Sequence, residues 1–216
     1  MDKKIYLNSF YSASLAVFAP LFIWGNTLSH IPWIFQKLEM NNSTLGYLFM
    51  IFSVVQLVFS QLAGRVIVPN LGSRFSLVIG LIFFSSTPIF FVFSNSINLF
   101  LFASVPAGIG FGIINTTATA VTSVAENKTN KILQTYYSAF FSMGMLLGGL
   151  CSGLYRYLEF NSYILFFILI LFGLISTLFV FNFGLKKQYD EIEKTEKFKI
   201  PENKLLIYSL YLFLFF

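Results

Sequence analysis

Charged side chains in this sequence fall in short seams between long stretches that contain none. Residues 5–36, 40–64, 75–125, 132–155, 160–185 and 205–216 hold no Asp, Glu, Lys or Arg, and together they make up 170 of the 216 residues. An apolar helix needs about 20 residues to cross the hydrocarbon core of a bilayer. The first, second, fourth and fifth stretches therefore predict one span each. The third, residues 75–125, predicts two that meet at the polar turn Ser94, Asn95, Ser96. A membrane barrel would alternate polarity in segments of about ten residues, whereas these stretches are apolar on every face. The expected fold class is an all-α integral membrane protein, a six-helix transmembrane bundle over residues 1–185. The apolar run after Lys3 and Lys4 is too long for a signal-peptide core and leads to Trp33 rather than to a small-residue cleavage site, so it is read as the first span.

The seams also give an orientation. One side carries Lys3, Lys4, Arg65, Arg74, Lys128, Lys131, Lys186, Lys187, Lys194, Lys197, Lys199 and Lys204, and the other carries Lys37 and Arg156. Cytoplasmic loops retain positive charge, which predicts a multi-pass protein of the cell membrane with a cytoplasmic N-terminus. The pI near 9.3 follows from this asymmetry and does not indicate a nucleic-acid partner. Residues 186–204 mix six Lys with five acidic residues and read as a solvated cytoplasmic linker. Residues 205–216 are apolar again. Twelve helical residues reach only about 18 Å, so they read as the start of an incomplete seventh span in the front part of a longer protein.

The residue types within the spans limit the chemistry. An intramembrane hydrolase needs a nucleophile with a base or a carboxylate pair, but His30 is the only His and no Asp or Glu falls in a complete span. No glycine loop for phosphates, His pair or Cys cluster is present, so no enzyme, cofactor or metal site is expected. The lone Cys151 lies in a span and reads as a packing residue. Gly108, Gly110 and Gly112 in span 4, and Gly144, Gly148, Gly149 and Gly153 in span 5, suit close helix approach. Asn26 and His30 are four residues apart, as are Asn115 and Thr119, so each pair projects from one helical face. Gln56 and Gln61 add amides in span 2. Polar groups in spans face the bundle interior or a wet cavity, either as a solute site or as ordinary interhelical hydrogen bonding.

Several of these segments resemble one family. Residues 64–74 run Gly64, Arg65, Val66, Ile67, Val68, Pro69, Asn70, Leu71, Gly72, Ser73, Arg74, and this resembles the loop signature of the major facilitator superfamily in a Gly-Ser-Arg form. Where the family pattern carries an Asp-Arg pair, this chain has Val68, Pro69 and Asn70, and it is one residue longer. In span 4, Gly108, Gly110, Gly112, Asn115, Thr119 and Glu126 are spaced as in fucose-permease-like and related members. Those members commonly have Asp and Asn in the places of Asn115 and Thr119. His30-Ile31-Pro32, Leu45-Gly46 and residues 138–144 are further echoes, with Ser138 standing where relatives have His.

The resemblance implies a secondary transporter of a small solute, a sugar or other small metabolite, present as its N-terminal half and inactive alone. Export of amphipathic compounds is an equal alternative, given the Phe-rich spans. On this reading spans 1 and 4 line the path. Asn26, His30, Asn115 and Thr119, with Gln56, are the expected substrate contacts, and Gly64, Arg65, Gly72, Arg74 and Glu126 form the conformational loop. The implied partners are membrane lipid, the solute and a separate C-terminal half. A nonfunctional remnant or a structural or regulatory six-span protein is the alternative outside transport.

Overall fold

In a computed structural model that describes residues 2–190, the chain is a bundle of helices, six of them long and apolar enough to span a membrane. The order is α1 (Asp2–Ser29), α2 (Ile31–Leu38), α3 (Asn42–Leu62), α4 (Val68–Leu71), α5 (Ser73–Phe93), α6 (Ile97–Phe102), α7 (Ser104–Thr129), α8 (Gln134–Tyr157) and α9 (Ser162–Phe183). The fold class is the one expected from the sequence. The greater part of the expected linker, and the whole of residues 205–216, lie outside the described residues.

Local chemistry sets the boundaries. The apolar stretch expected to form span 1 breaks at His30, and Pro32 opens a separate short helix, α2, where its missing N–H is not needed. Glu39 ends α2 in the left-handed conformation, with φ 50°. Asn41 then caps α3, its Oδ1 accepting from the backbone N–H and the hydroxyl of Thr44 at 3.1 and 3.0 Å. Ser96 caps α6 and Asn161 caps α9 in the same way. The polar turn expected at Ser94, Asn95 and Ser96 separates α5 from α6.

Between α3 and α4 the chain makes a π-turn over Ala63–Ile67, in which the Val68 N–H bonds to the Ala63 carbonyl. A π-turn holds one more residue than an α-turn, so it accommodates the extra residue of this loop without ending the helix. Gly72 then turns the chain into α5 at φ 83°, a conformation open to glycine, with the Lys187 side chain 3.1 Å from where a Cβ would lie.

Helix packing follows from glycines at helical spacing. Gly144 and Gly148 of α8 meet the backbone of Phe18 and Phe22 of α1, and Gly25 of α1 meets the Met145 carbonyl. Gly108 and Gly112 of α7 rest on the carbonyls of Phe52 and Gln56 of α3, while Gly110 rests on Gly80 of α5. In both the α1–α8 and the α3–α7 pairs the residue numbers rise together, so the partners run parallel. Helices α5 and α9 pack on each other and on α1. Helices α3 and α8 bury few residues, Thr44 and Leu48 on α3 and Tyr137, Gly144, Gly148 and Ser152 on α8. They stand as two walls beside α7 and α1. Not every small residue follows the expectation, since Gly153 has open space around it and Cys151 is exposed rather than packed.

Candidate functional site

The site begins with aromatic side chains that the sequence does not single out. Trp24 of α1 stacks on Phe52 of α3, with ring centroids 5.0 Å apart and an interplanar angle of 18°. Phe111 of α7 lies 6.0 Å from Phe52, 6.2 Å from Phe84 of α5 and 6.2 Å from Phe141 of α8. Phe111, Trp24 and Phe84 are buried, but Phe52 and Phe141 are half-exposed, so the cluster reaches the surface at the two walls.

A polar set lies one helical turn away on each of the three helices, at Gln56 on α3, Asn115 on α7 and Tyr137 on α8. The Tyr137 hydroxyl donates to Asn115 Oδ1 at 3.3 Å. The Thr119 hydroxyl donates to the Asn115 carbonyl at 2.8 Å and lies 3.5 Å from the Tyr137 oxygen. Asn115, Thr119 and Gln56 are half-buried. Together, apolar rings and neutral amides and hydroxyls offer a molecule both stacking area and directed hydrogen bonds, with no fixed charge.

Of the residues expected to contact substrate, the structure joins Asn115 and Thr119 through Tyr137 and puts Gln56 on the neighbouring wall. Asn26 and His30 are placed elsewhere. Both are fully buried, with His30 Nδ1 2.6 Å from the Ser152 hydroxyl and 3.1 Å from the Asn26 carbonyl. The Ser152 hydroxyl donates to the same carbonyl at 3.2 Å. Among the described residues, Asn26 Oδ1 and His30 Nε2 are buried with no hydrogen-bond partner. Ser152 and Tyr137 are at opposite ends of the buried stripe of α8, so the two polar clusters do not form one site.

The expected conformational loop is a set of helix-end contacts. Glu126 Oε2 accepts from the backbone N–H groups of Leu133 and Gln134 at 2.7 and 2.8 Å, which caps the start of α8. Arg74 lies over the Phe181 ring, 4.5 Å from its centroid. Gly64 and Arg65 lie in the π-turn and Gly72 in the turn before α5. Asp190 Oδ2 accepts from the Ser73 N–H at 2.6 Å, and Lys187 donates to the Asn70 carbonyl at 2.6 Å. An acid from beyond α9 thus serves a loop that has none of its own. The first residues of the expected linker are docked on this loop.

A cavity of about 640 Å³ lies between the N-terminal ends of α1 and α8 and is lined in part by Phe10, Tyr11, Tyr136 and Phe140. It holds none of the expected substrate contacts or conformational-loop residues.

Comparison with known proteins bears on the fold. The family model described as Major Facilitator Superfamily matches residues 13–216. Multidrug resistance protein 1 of Bacillus subtilis (strain 168) is 27% identical over 184 residues, covering 82% of this chain and 45% of that protein. Multidrug resistance protein 2 of the same organism is 28% identical over 125 residues, covering 57% of this chain and 31% of that protein. The chain spans less than half the length of these curated relatives.

Proposed function

Because the chain belongs to the major facilitator superfamily, we propose that it supplies the N-terminal six-span half of a secondary transporter that moves amphipathic small molecules by alternating access. The observation that carries the substrate class is the half-exposed pair Phe52 and Phe141 beside Gln56, Asn115 and Tyr137. A sugar would require a denser set of hydrogen bonds than this surface offers. The names of the two relatives point the same way. Transporters of this type place the substrate between two six-span halves, and the open face between α3 and α8 is where a second half would sit. The six-span unit alone has no opposite wall against which to rock.

The test is reconstitution into liposomes, with uptake of a fluorescent amphipathic dye and of a labelled sugar compared with and without a co-expressed second six-span half. Saturable dye uptake that needs both halves is the expected result. Sugar uptake without dye uptake would overturn the substrate class, and dye uptake by the chain alone would overturn the half-transporter reading.

The orientation proposed with this function places the N-terminus in the cytoplasm. Reporter fusions after Lys4, Gly72 and Lys128 are expected to report cytoplasm, and fusions after Glu39, Asn95 and Glu159 the outer side. Reversed signals at Lys128 and Glu159 would refute it.

A further inference from the structure

Helix α9 is the most apolar of the six spans, and its exposed side chains, among them Ile164, Phe167, Ile168 and Leu171, form a face suited to hydrocarbon. Toward the end of the bundle opposite the N-terminus, this face is interrupted by a groove of about 150 Å³ between α5 and α9, lined by Ile89, Val92, Phe93, Tyr163, Phe167 and Ile170. In a bilayer, an apolar groove that opens on a lipid-facing surface is filled by an acyl chain, since no water is available to fill it.

The head of the groove is not apolar. Lys37 donates to the Val92 carbonyl at 2.9 Å, which fixes its ammonium beside a lining residue and leaves two N–H donors unused by that bond. Its Nζ lies 5.6 Å from the Trp33 ring and 5.9 Å from the Tyr163 ring, and those two rings meet edge to face at 5.7 Å. Trp and Tyr concentrate at the headgroup level of a membrane, so this pair marks the depth at which a phosphate would lie. Lys37 and Arg156 are the two cations of the seams on this side, and Arg156 donates instead to the Ser29 carbonyl at 3.0 Å.

We propose that this groove is a binding site for one anionic phospholipid, with an acyl chain against Ile89, Phe93, Phe167 and Ile170 and the phosphate on Lys37. The site fastens α2 to the α5–α9 face from outside, and it does not depend on which solute the protein moves.

The experiment is native mass spectrometry of the detergent-purified 216-residue chain titrated with phosphatidylglycerol. One saturable lipid adduct is expected, weakened about fivefold by Lys37→Gln, as one lysine near a membrane surface would give, and retained in Lys37→Arg and Arg156→Gln. Ile170→Trp, which fills the groove and leaves the charge, is expected to reduce the adduct as well. Equal loss in Arg156→Gln, or undiminished binding in both Lys37→Gln and Ile170→Trp, would overturn the proposal. Displacement of the lipid by inorganic phosphate at millimolar concentration would also overturn it, by assigning the site to the phosphate group alone.

Discussion

Replacement of Gly148 by leucine is expected to lower the amount of folded protein in the membrane by about tenfold or more, while Gly153→Leu is expected to leave it within about twofold. A Cβ at Gly148 meets the Phe22 carbonyl, carbon and Cα of α1, and backbone of a neighbouring helix cannot rotate aside as a side chain can. The α1–α8 pair would have to separate. Overpacking of a well-packed interior costs about 1–3 kcal/mol where side chains can adjust, and here they cannot. Among the described residues, nothing lies within 4 Å of a would-be Cβ at Gly153, only five residues on. Quantitative immunoblotting of membrane fractions together with size-exclusion profiles checks the pair. Similar behaviour of the two variants would show that this interface does not hold the bundle together.

The second large effect is expected at the polar set. In a transporter reconstituted with its second half, Tyr137→Phe and Asn115→Ala are each expected to lower dye uptake about five- to tenfold, the size of one lost hydrogen bond to a polar ligand, with membrane abundance unchanged. Tyr137→Phe removes only the hydroxyl that donates to Asn115 Oδ1 at 3.3 Å. A substrate that bonds to the same amide would lose an oriented acceptor. The matched change His30→Ala is expected to reduce abundance, because His30 is fully buried against Ser152 and the Asn26 carbonyl. If Tyr137→Phe and Asn115→Ala lowered abundance and uptake in proportion, the trio would be interhelical packing rather than a binding surface.

The sequence showed the spans plainly and the candidate site only in part, for a physical reason. The absence of charge from long stretches is a sufficient signal of a membrane helix, so the six spans and the turn at Ser94, Asn95 and Ser96 were legible. The break at His30 was hidden, because no charged side chain marks it anywhere in residues 5–36. Spacing showed that Asn115 and Thr119 share a face, but not that Tyr137 completes them, since the contact joins residues 22 apart along the chain. The aromatic cluster was harder still. With 29 Phe in the chain, a ring that faces lipid and a ring that faces a binding surface look alike, and in a bilayer hydrophobicity no longer separates inside from outside. The same limit applied to the glycines, of which Gly148 is a contact and Gly153 is not. Helical spacing gives a face; the partner on that face is set by distant segments.

The parallel pairing of α1 with α8 and of α3 with α7 has a consequence for the order in which the protein can be made. Each early span finds its main partner in a late one, α1 only when the fifth span has been inserted and α3 only when the fourth has. A nascent chain that has inserted α1, α3 and α5 holds three helices of which α3 has none of its final glycine contacts, since Gly108 and Gly112 are not yet synthesised. Each helix satisfies its own backbone in lipid as it enters, so insertion need not wait for packing: α3 and α5 gain their α7 contacts with the fourth span, α1 gains its α8 contacts with the fifth, and the contacts of α9 with α5 and α1 come last. Gly80 of α5 therefore meets its Gly110 partner only with the fourth span, and Gly25 of α1 meets Met145 and Gly149 only with the fifth.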